Sequence, residues 1–288
     1  MFKHDDPHVF GGIPFTARQV PRKLRWFQDR GLIRQLVKGV YVDVRIHDSP
    51  ALRYAALELV VPPGATVYGR TAAWLHGIGT TALGPEELLH PEWTHRPLGD
   101  VVEIGELKAT DPITTAVALA MQLPRPFALS AVDAFLYSGR ADRWALRAAS
   151  AAHEGQRGYR QSQEILRYAD RRAASPGESW LRLRLLDAGF PRPELQVSVE
   201  GQGRTYRLDL GYPDNPIDGR RLGLEYDSDA WHSTDSQQHR DEARRATLGS
   251  LGWHIMPVRR TDLWGSYPAL ELAVGGFLCQ QPRLPRRW

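Results

Sequence analysis

The 288-residue chain holds a single cysteine, Cys279, and only four lysines, Lys3, Lys23, Lys38 and Lys108. One thiol makes no intramolecular disulfide and builds no thiolate zinc site. No uncharged apolar stretch reaches the roughly 20 residues that a membrane-spanning helix needs. The start, Met1-Phe2-Lys3-His4-Asp5-Asp6, lacks the apolar run of a signal peptide. These absences predict a soluble cytoplasmic protein without a membrane partner, a monomer or weak homodimer. Beyond position 108 there is no lysine, and arginine carries all the positive charge. Arginine suits bidentate contact with phosphate, although a GC-rich coding bias gives the same composition.

What is present is ordinary in bulk. Hydrophobic residues make up 42% and charged residues 24%, a globular composition. The length accommodates two or three domains of roughly 100–150 residues each. A formal net charge of +4 favours a polyanionic partner mildly.

The chain reads as four segments. Residues 1–48 form a winged-helix-like DNA-binding module. Phe15-Thr16 and Gln19-Val20 sit near its first helix, where Pro21 allows only a short element. Residues 22–30 carry helical periodicity, with Leu24 and Phe27 on one side and a break at Gly31. Residues 32–44 alternate around Gly39 as a hairpin or wing. In such a module Arg22, Lys23, Arg25, Arg34 and Lys38 lie on faces that approach a duplex; in a plain helical cap they are ordinary surface. Residues 49–150 form a helix-rich middle, with strand-like stretches near residues 101–107 and a helix opened by Asp111-Pro112. His76 and Asp133 are its most conspicuous polar residues, and neither is assigned a site. Residues 151–174 are an arginine-rich linker helix with a basic face.

Residues 175–288 organise best. Ser175-Pro176-Gly177-Glu178 reads as a capping box, with serine as N-cap and glutamate at the third helical position. Strands follow over 195–200, 205–212 and 221–228, with a loop at 213–219. A helix near 236–249, a strand at 253–258 and a last helix over 266–278 complete the order. The expected fold class is α/β: a C-terminal restriction-endonuclease-like mixed sheet flanked by helices, behind an N-terminal winged helix and a helical middle. Arg283, Arg286 and Arg287 read as a solvated basic tail, and Trp231 and Trp253 as packing residues.

Three acidic residues stand out. Asp209 alternates with Leu208 and Leu210, and Glu225 and Asp227 project to one side of the next strand. Adjacent strands can present all three on one edge, where carboxylates repel unless a cation joins them. Oxygen ligands of this kind suit Mg²⁺ or Mn²⁺. Such an ion acidifies water and stabilises charge during phosphodiester hydrolysis.

The ordered set SPGESWLRLRLLDAG, RLDLGYP, GLEYDSDAWH and QHRDEARRATLGSLGW, spanning about residues 171–265, resembles the DUF559 family. That family is similar to the very-short-patch-repair (Vsr-like) endonucleases and belongs to the PD-(D/E)XK nuclease group. The resemblance carries a family pattern onto Glu178, Asp209, Glu225, Asp227, His232, Arg240, Asp241 and Arg244. Toward the N-terminus, Thr16, Gly31-Leu32-Ile33, Lys38-Gly39-Val40-Tyr41-Val42 and Tyr68 through Gly77 resemble the winged-helix region of AbiEi-like antitoxins. That resemblance implies nucleic-acid binding and leaves open a partner protein of a toxin–antitoxin or defence system.

One departure matters. The wider nuclease group carries lysine two residues after the glutamate, where this chain has Asp227, and no other lysine lies in the domain. Asp227 then ligates a second metal or holds His232, which serves as general base or phosphate donor. Arg240 or Arg244 supplies the missing positive charge. Ser228 stands where the family often has glycine. Simpler roles compete: Glu178 as a cap alone, Arg240 and Asp241 as helix-surface ion pairs. The expected activity is a Mg²⁺-dependent DNA endonuclease or nickase acting through metal-activated water on duplex DNA, with Asp209, Glu225, Asp227, His232 and Glu178 catalytic. The alternatives are a catalytically silent, antitoxin-like DNA-binding regulator, and a nuclease selective for RNA or for branched or mismatched duplex.

Overall fold

The computed structural model of the protein describes residues 8–85, 89–96, 98–201, 203–227 and 235–288, with backbone alone over 235–241. The chain separates into two compact units, Met1–Pro124 with Ser138–Arg167, and Arg125–Tyr137 with Tyr168–Trp288.

The first unit opens with β1 (Phe15–Thr16), α1 (Leu24–Asp29), β2 (Ile33–Val37) and β3 (Val40–Asp43). Its small antiparallel sheet has the order β1-β3-β2. Residues 15–20, near the first helix as expected, hold strand β1 and a short 3-10 turn, Ala17–Gln19. Phe15 pairs with Tyr41, and Phe15, Val20, Ile33 and Tyr41 form a buried cluster. Burying that aromatic against the sheet outweighs a helix that Pro21 would interrupt.

Next come α2 (Pro50–Glu58), β4 (Thr66–Val67), α3 (Gly69–Leu75), α4 (Thr80–Leu83), β5 (Trp93–Thr94), β6 (Val101–Ile104), β7 (Leu107–Thr110) and α5 (Pro112–Gln122). A second sheet of order β5-β4-β7-β6 runs through the helices. The α5 start is as the sequence expects: the Asp111 carboxylate accepts the N–H groups of Ile113 and Thr114, and Pro112 occupies the first turn. His76 is buried, with Nε2 2.7 Å from the Thr110 carbonyl oxygen, and burial holds its pKa below the ordinary value.

The helix that follows, α6 (Arg125–Tyr137), belongs to the second unit, whereas α7 (Arg143–Ala151) and α8 (Tyr159–Tyr168) return almost wholly to the first. The second unit continues with α9 (Pro176–Asp187), β8 (Glu194–Gly201), β9 (Arg204–Ile217), β10 (Arg220–Asp227), α10 (Asp235–Ser250), β11 (Trp253–Arg259), α11 (Arg260–Trp264) and α12 (Ala269–Leu278). Its mixed sheet has the order β11-β10-β9-β8. The β8–β9–β10 meander is antiparallel, and β11 joins β10 in parallel. Leu248 of α10 packs with Val197, Val199, Leu208 and Trp253, so Trp253 is core.

Two expectations are corrected here. Residues 213–219 are not a loop: β9 runs to Ile217, and Arg220 pairs with Ile217 across the turn. Asp218 and Gly219 have φ of 49° and 75°. Positive φ at both central residues is what a tight two-residue hairpin requires, and Asp-Gly is its sequence signature. Nor is the arginine tail simply solvated. Arg286 binds the Glu271 carboxylate through Nε at 2.8 Å and Nη2 at 2.6 Å, and Arg287 reaches Asp187 at 3.2 Å. Glu271 is buried, and a buried carboxylate needs such partners.

Helix α9 is buried along most of its length, including two arginines. Arg182 pairs with Asp133 of α6, and both are fully enclosed. Asp133 also accepts the Ser179 hydroxyl at 2.7 Å and the Asp170 N–H at 2.8 Å. Arg184 lies 3.6 Å over the Trp288 ring, and burial lowers its pKa to about 10. These contacts fix α9 and so the position of Glu178 in its first turn.

Candidate active site

Backbone register assembles the site. The ladder pairs Leu195 with Leu210 and Val197 with Leu208 on one side, and Leu224 with Leu210 on the other. Asp209 therefore lies in one row between Gln196 of β8 and Glu225 of β10. The β9–β10 pairing reaches only to Leu224, and two residues further the Asp209 carboxylate accepts the Tyr226 N–H at 2.9 Å. A side chain thus takes the place of a ladder bond, and the strands part where the carboxylates stand.

Each carboxyl group is held above its ordinary pKa, and burial is the largest cause in all three. Asp209 is raised by desolvation, with a smaller contribution from Asp227, against the Tyr226 hydrogen bond and the charges of Arg244 and Arg207. Glu225 is raised by desolvation, which outweighs its ion pair with Arg244, and the charges of Asp209 and Asp227 add to the rise. Glu178 is raised by desolvation and by the charge of Asp209. Glu178 and Glu225 therefore each sense the charge of Asp209.

Arg244 of α10 is the counter-cation. Its Nη1 lies 2.5 Å from Glu225 Oε1, and its Nη2 donates to the Arg207 carbonyl at 2.9 Å. Asp227 is exposed at the end of β10, in register with Arg259 of β11. His232 lies outside the described residues, as do the side chains of Arg240 and Asp241.

Glu178 does more than cap its helix. Ser175 Oγ accepts the Glu178 N–H at 3.2 Å, the serine half of a capping box. The glutamate half is redirected: Glu178 Oε2 accepts the Ala174 N–H at 3.1 Å and the Gln196 amide at 2.7 Å. Gln196 was not singled out from the sequence. A glutamine between two apolar strand residues carries no signal, and only its backbone conformation and its partner expose it.

The first unit holds the other candidates. Arg22, Lys23 and Arg25 are exposed at the start of α1, and Lys38 is exposed at the β2–β3 turn. Arg34 is half-buried on β2 and donates through Nη2 to the Ile46 carbonyl at 2.8 Å.

Among the described residues, no three His, Cys, Asp or Glu side chains stand close enough to form a metal-binding group by themselves. Mg²⁺ does not demand one: it is commonly held by one or two carboxylates, with waters and substrate phosphate completing its octahedron. Asp209 and Glu225, neighbouring oxygen donors that burial penalises as anions, fit that requirement.

A family model described as REase_MTES_1575 matches residues 184–271, which contain Asp209, Glu225 and Asp227. Two curated proteins of Mycobacterium tuberculosis match across both units. They are the uncharacterized protein MT2308 of strain CDC 1551 / Oshkosh and the uncharacterized protein Rv2248 of strain ATCC 25618 / H37Rv. Each is 37% identical over 246 residues, covering 81% of this chain and 87% of the relative. No solved structure matches.

Proposed function

This chain belongs to one family with the two mycobacterial proteins, and we propose that its C-terminal unit is a Mg²⁺- or Mn²⁺-dependent DNA endonuclease or nickase. The restriction-endonuclease-like match over residues 184–271 supports a place in the nuclease superfamily. The finer placement, DUF559 near the Vsr-like enzymes with an AbiEi-like first part, is part of the same proposal. The observation that carries the reading is the junction of Asp209, Glu225 and Glu178 where β9 and β10 part, three carboxyl groups all pushed up by burial.

A divalent cation supplies the charge that lets these groups ionise, acidifies a water molecule and stabilises charge on the phosphate. Asp209 and Glu225 would hold it through carboxylate oxygens, with Asp227 at the rim. Arg244, which pairs with Glu225, would serve the phosphate in place of the absent lysine once a cation balanced Glu225. His232 takes or gives a proton near neutral pH, and Arg240 adds to the phosphate contacts. Arg22, Lys23, Arg25, Arg34 and Lys38 contact duplex phosphates and set orientation.

The test is cleavage of supercoiled and linear DNA with Mg²⁺ and with Mn²⁺, beside Asp209→Ala and Glu225→Ala. Metal-dependent cleavage by the parent, lost in both variants, is the expected result. One observation favours a second reading, a silent nuclease fold that binds DNA as a regulator: Arg244 already occupies Glu225, one of the two acids that would hold the cation, while Asp227 stands where the wider nuclease group carries lysine. Tight duplex binding with no turnover in either metal selects that reading.

A further inference from the structure

Four described residues other than glycine have positive φ: Phe10, Gln196, Asp218 and Cys279. Asp218 is explained by its hairpin turn, and Cys279 ends helix α12. Gln196, at φ 56°, is different, because it sits inside strand β8 with paired residues on both sides. A left-handed conformation there strains any residue with a Cβ, and nothing in the ladder requires it.

The side chain carries a second cost. Its Nε2 donates to Glu178 at 2.7 Å. Its Oε1 is buried and accepts no hydrogen bond in the described fold, a state that buried polar atoms rarely keep. A residue serving packing alone would avoid both costs by being extended and apolar. Strain and an orphaned polar atom on one side chain, in the same row as Asp209, mark function rather than architecture.

We infer that Gln196 is a positioning residue of the carboxylate site: its left-handed backbone aims the amide at Glu178 of α9, and Nε2 fixes that carboxylate beside the acids proposed to hold the divalent cation. This rests on the endonuclease reading. Groups that orient the carboxylates around a metal characteristically contribute ten- to hundredfold to its affinity.

The test uses the full chain and Mn²⁺ alone, with free Mn²⁺ read by its paramagnetic resonance signal. Two variants are compared with the parent. Gln196→Met keeps the shape and removes the amide, and Gln196→Gly adopts positive φ without strain and so keeps the fold. Both should bind Mn²⁺ about ten- to hundredfold more weakly while their unfolding transitions stay cooperative. Neither should weaken binding further in a Glu178→Ala background, because the amide acts through that carboxylate. In cleavage, kcat should fall with KM for DNA little changed. A parent that binds Mn²⁺ no more tightly than folded Gln196→Met and Gln196→Gly overturns the assignment of Gln196 alone. A parent that binds no Mn²⁺ overturns the endonuclease reading and this inference together. Additive losses in the Glu178→Ala background overturn the route through Glu178.

Discussion

Asp209 of β9 accepts the backbone N–H of Tyr226 of β10, one residue past Glu225. This contact replaces a strand–strand hydrogen bond, parts the ladder and brings two acids from separate strands into one desolvated place. Because it uses a carbonyl-type oxygen, it survives a change that removes the charge.

Asp209→Asn therefore keeps the fold, and its stability relative to the parent depends on pH with a definite sign. Asp209 has a raised pKa in the folded chain, so its contribution is fully present below the unfolded value, about 4, and is lost as pH rises through the folded value. Without metal, Asp209→Asn should match the parent near pH 4 and become the more stable of the two toward neutral pH. Urea unfolding in chelator at several pH values reads this, and a constant difference contradicts it.

Mg²⁺ should reverse that trend. A ligand that binds only the folded state stabilises it in proportion to the logarithm of its concentration over Kd. The parent's melting temperature should rise with Mg²⁺ near neutral pH, and the rise should shrink as pH falls and the acids, whose pKa values burial raises, take up protons. Asp209→Asn should lose most of the rise. An equal rise in both proteins would place the metal elsewhere.

Arg244→Ala removes the cation paired with Glu225. Both partners keep some solvent access, so the loss in metal-free stability should be about 1–2 kcal/mol, below the cost of breaking an enclosed pair. Mg²⁺ should restore part of it by giving Glu225 a new counter-charge, while DNA cleavage stays impaired. Melting curves with and without Mg²⁺ decide, and a loss that Mg²⁺ leaves untouched argues that Arg244 only anchors α10.

The enclosed pair behaves differently. Arg182 and Asp133 are both fully buried, so Asp133→Ala should cost about 3–5 kcal/mol by removing the nearer partner of a buried charge that otherwise has, among the described residues, only Asp170, at 4.0 Å. Asp133→Leu with Arg182→Met should recover much of that loss. Denaturant midpoints test the contrast, and a double variant no better than the single one would count against it.

Gly177→Ala probes how closely α9 approaches the sheet. A Cβ at Gly177 would overlap the ring of Tyr226, which also makes an edge contact with Trp180. Overpacking of this kind costs about 1–3 kcal/mol. It should also displace Glu178, lowering cleavage more than stability alone explains, and unchanged cleavage would detach α9 from the site.

Local chemistry made much of this legible without a structure. Ser175-Pro176 and Asp111-Pro112 start helices because their side chains satisfy end N–H groups within three residues. Asp209, Glu225 and Asp227 stood out because period-two alternation exposes acids among apolar strand residues. The Asp218-Gly219 turn was equally local, and the proline and asparagine around it hid the signature.

Tertiary structure decided what depends on partners distant in sequence. Arg182 is an ordinary helix residue until Asp133, 49 positions away, is placed beside it, and Arg286 reads as solvated until Glu271 is found buried. The pairing of Glu225 with Arg244, the parting of the strands at Asp209 and the strained amide of Gln196 all arise from register and burial. Residue order sets which groups can meet, but desolvation and long-range pairing set their charge, their strain and thereby their use.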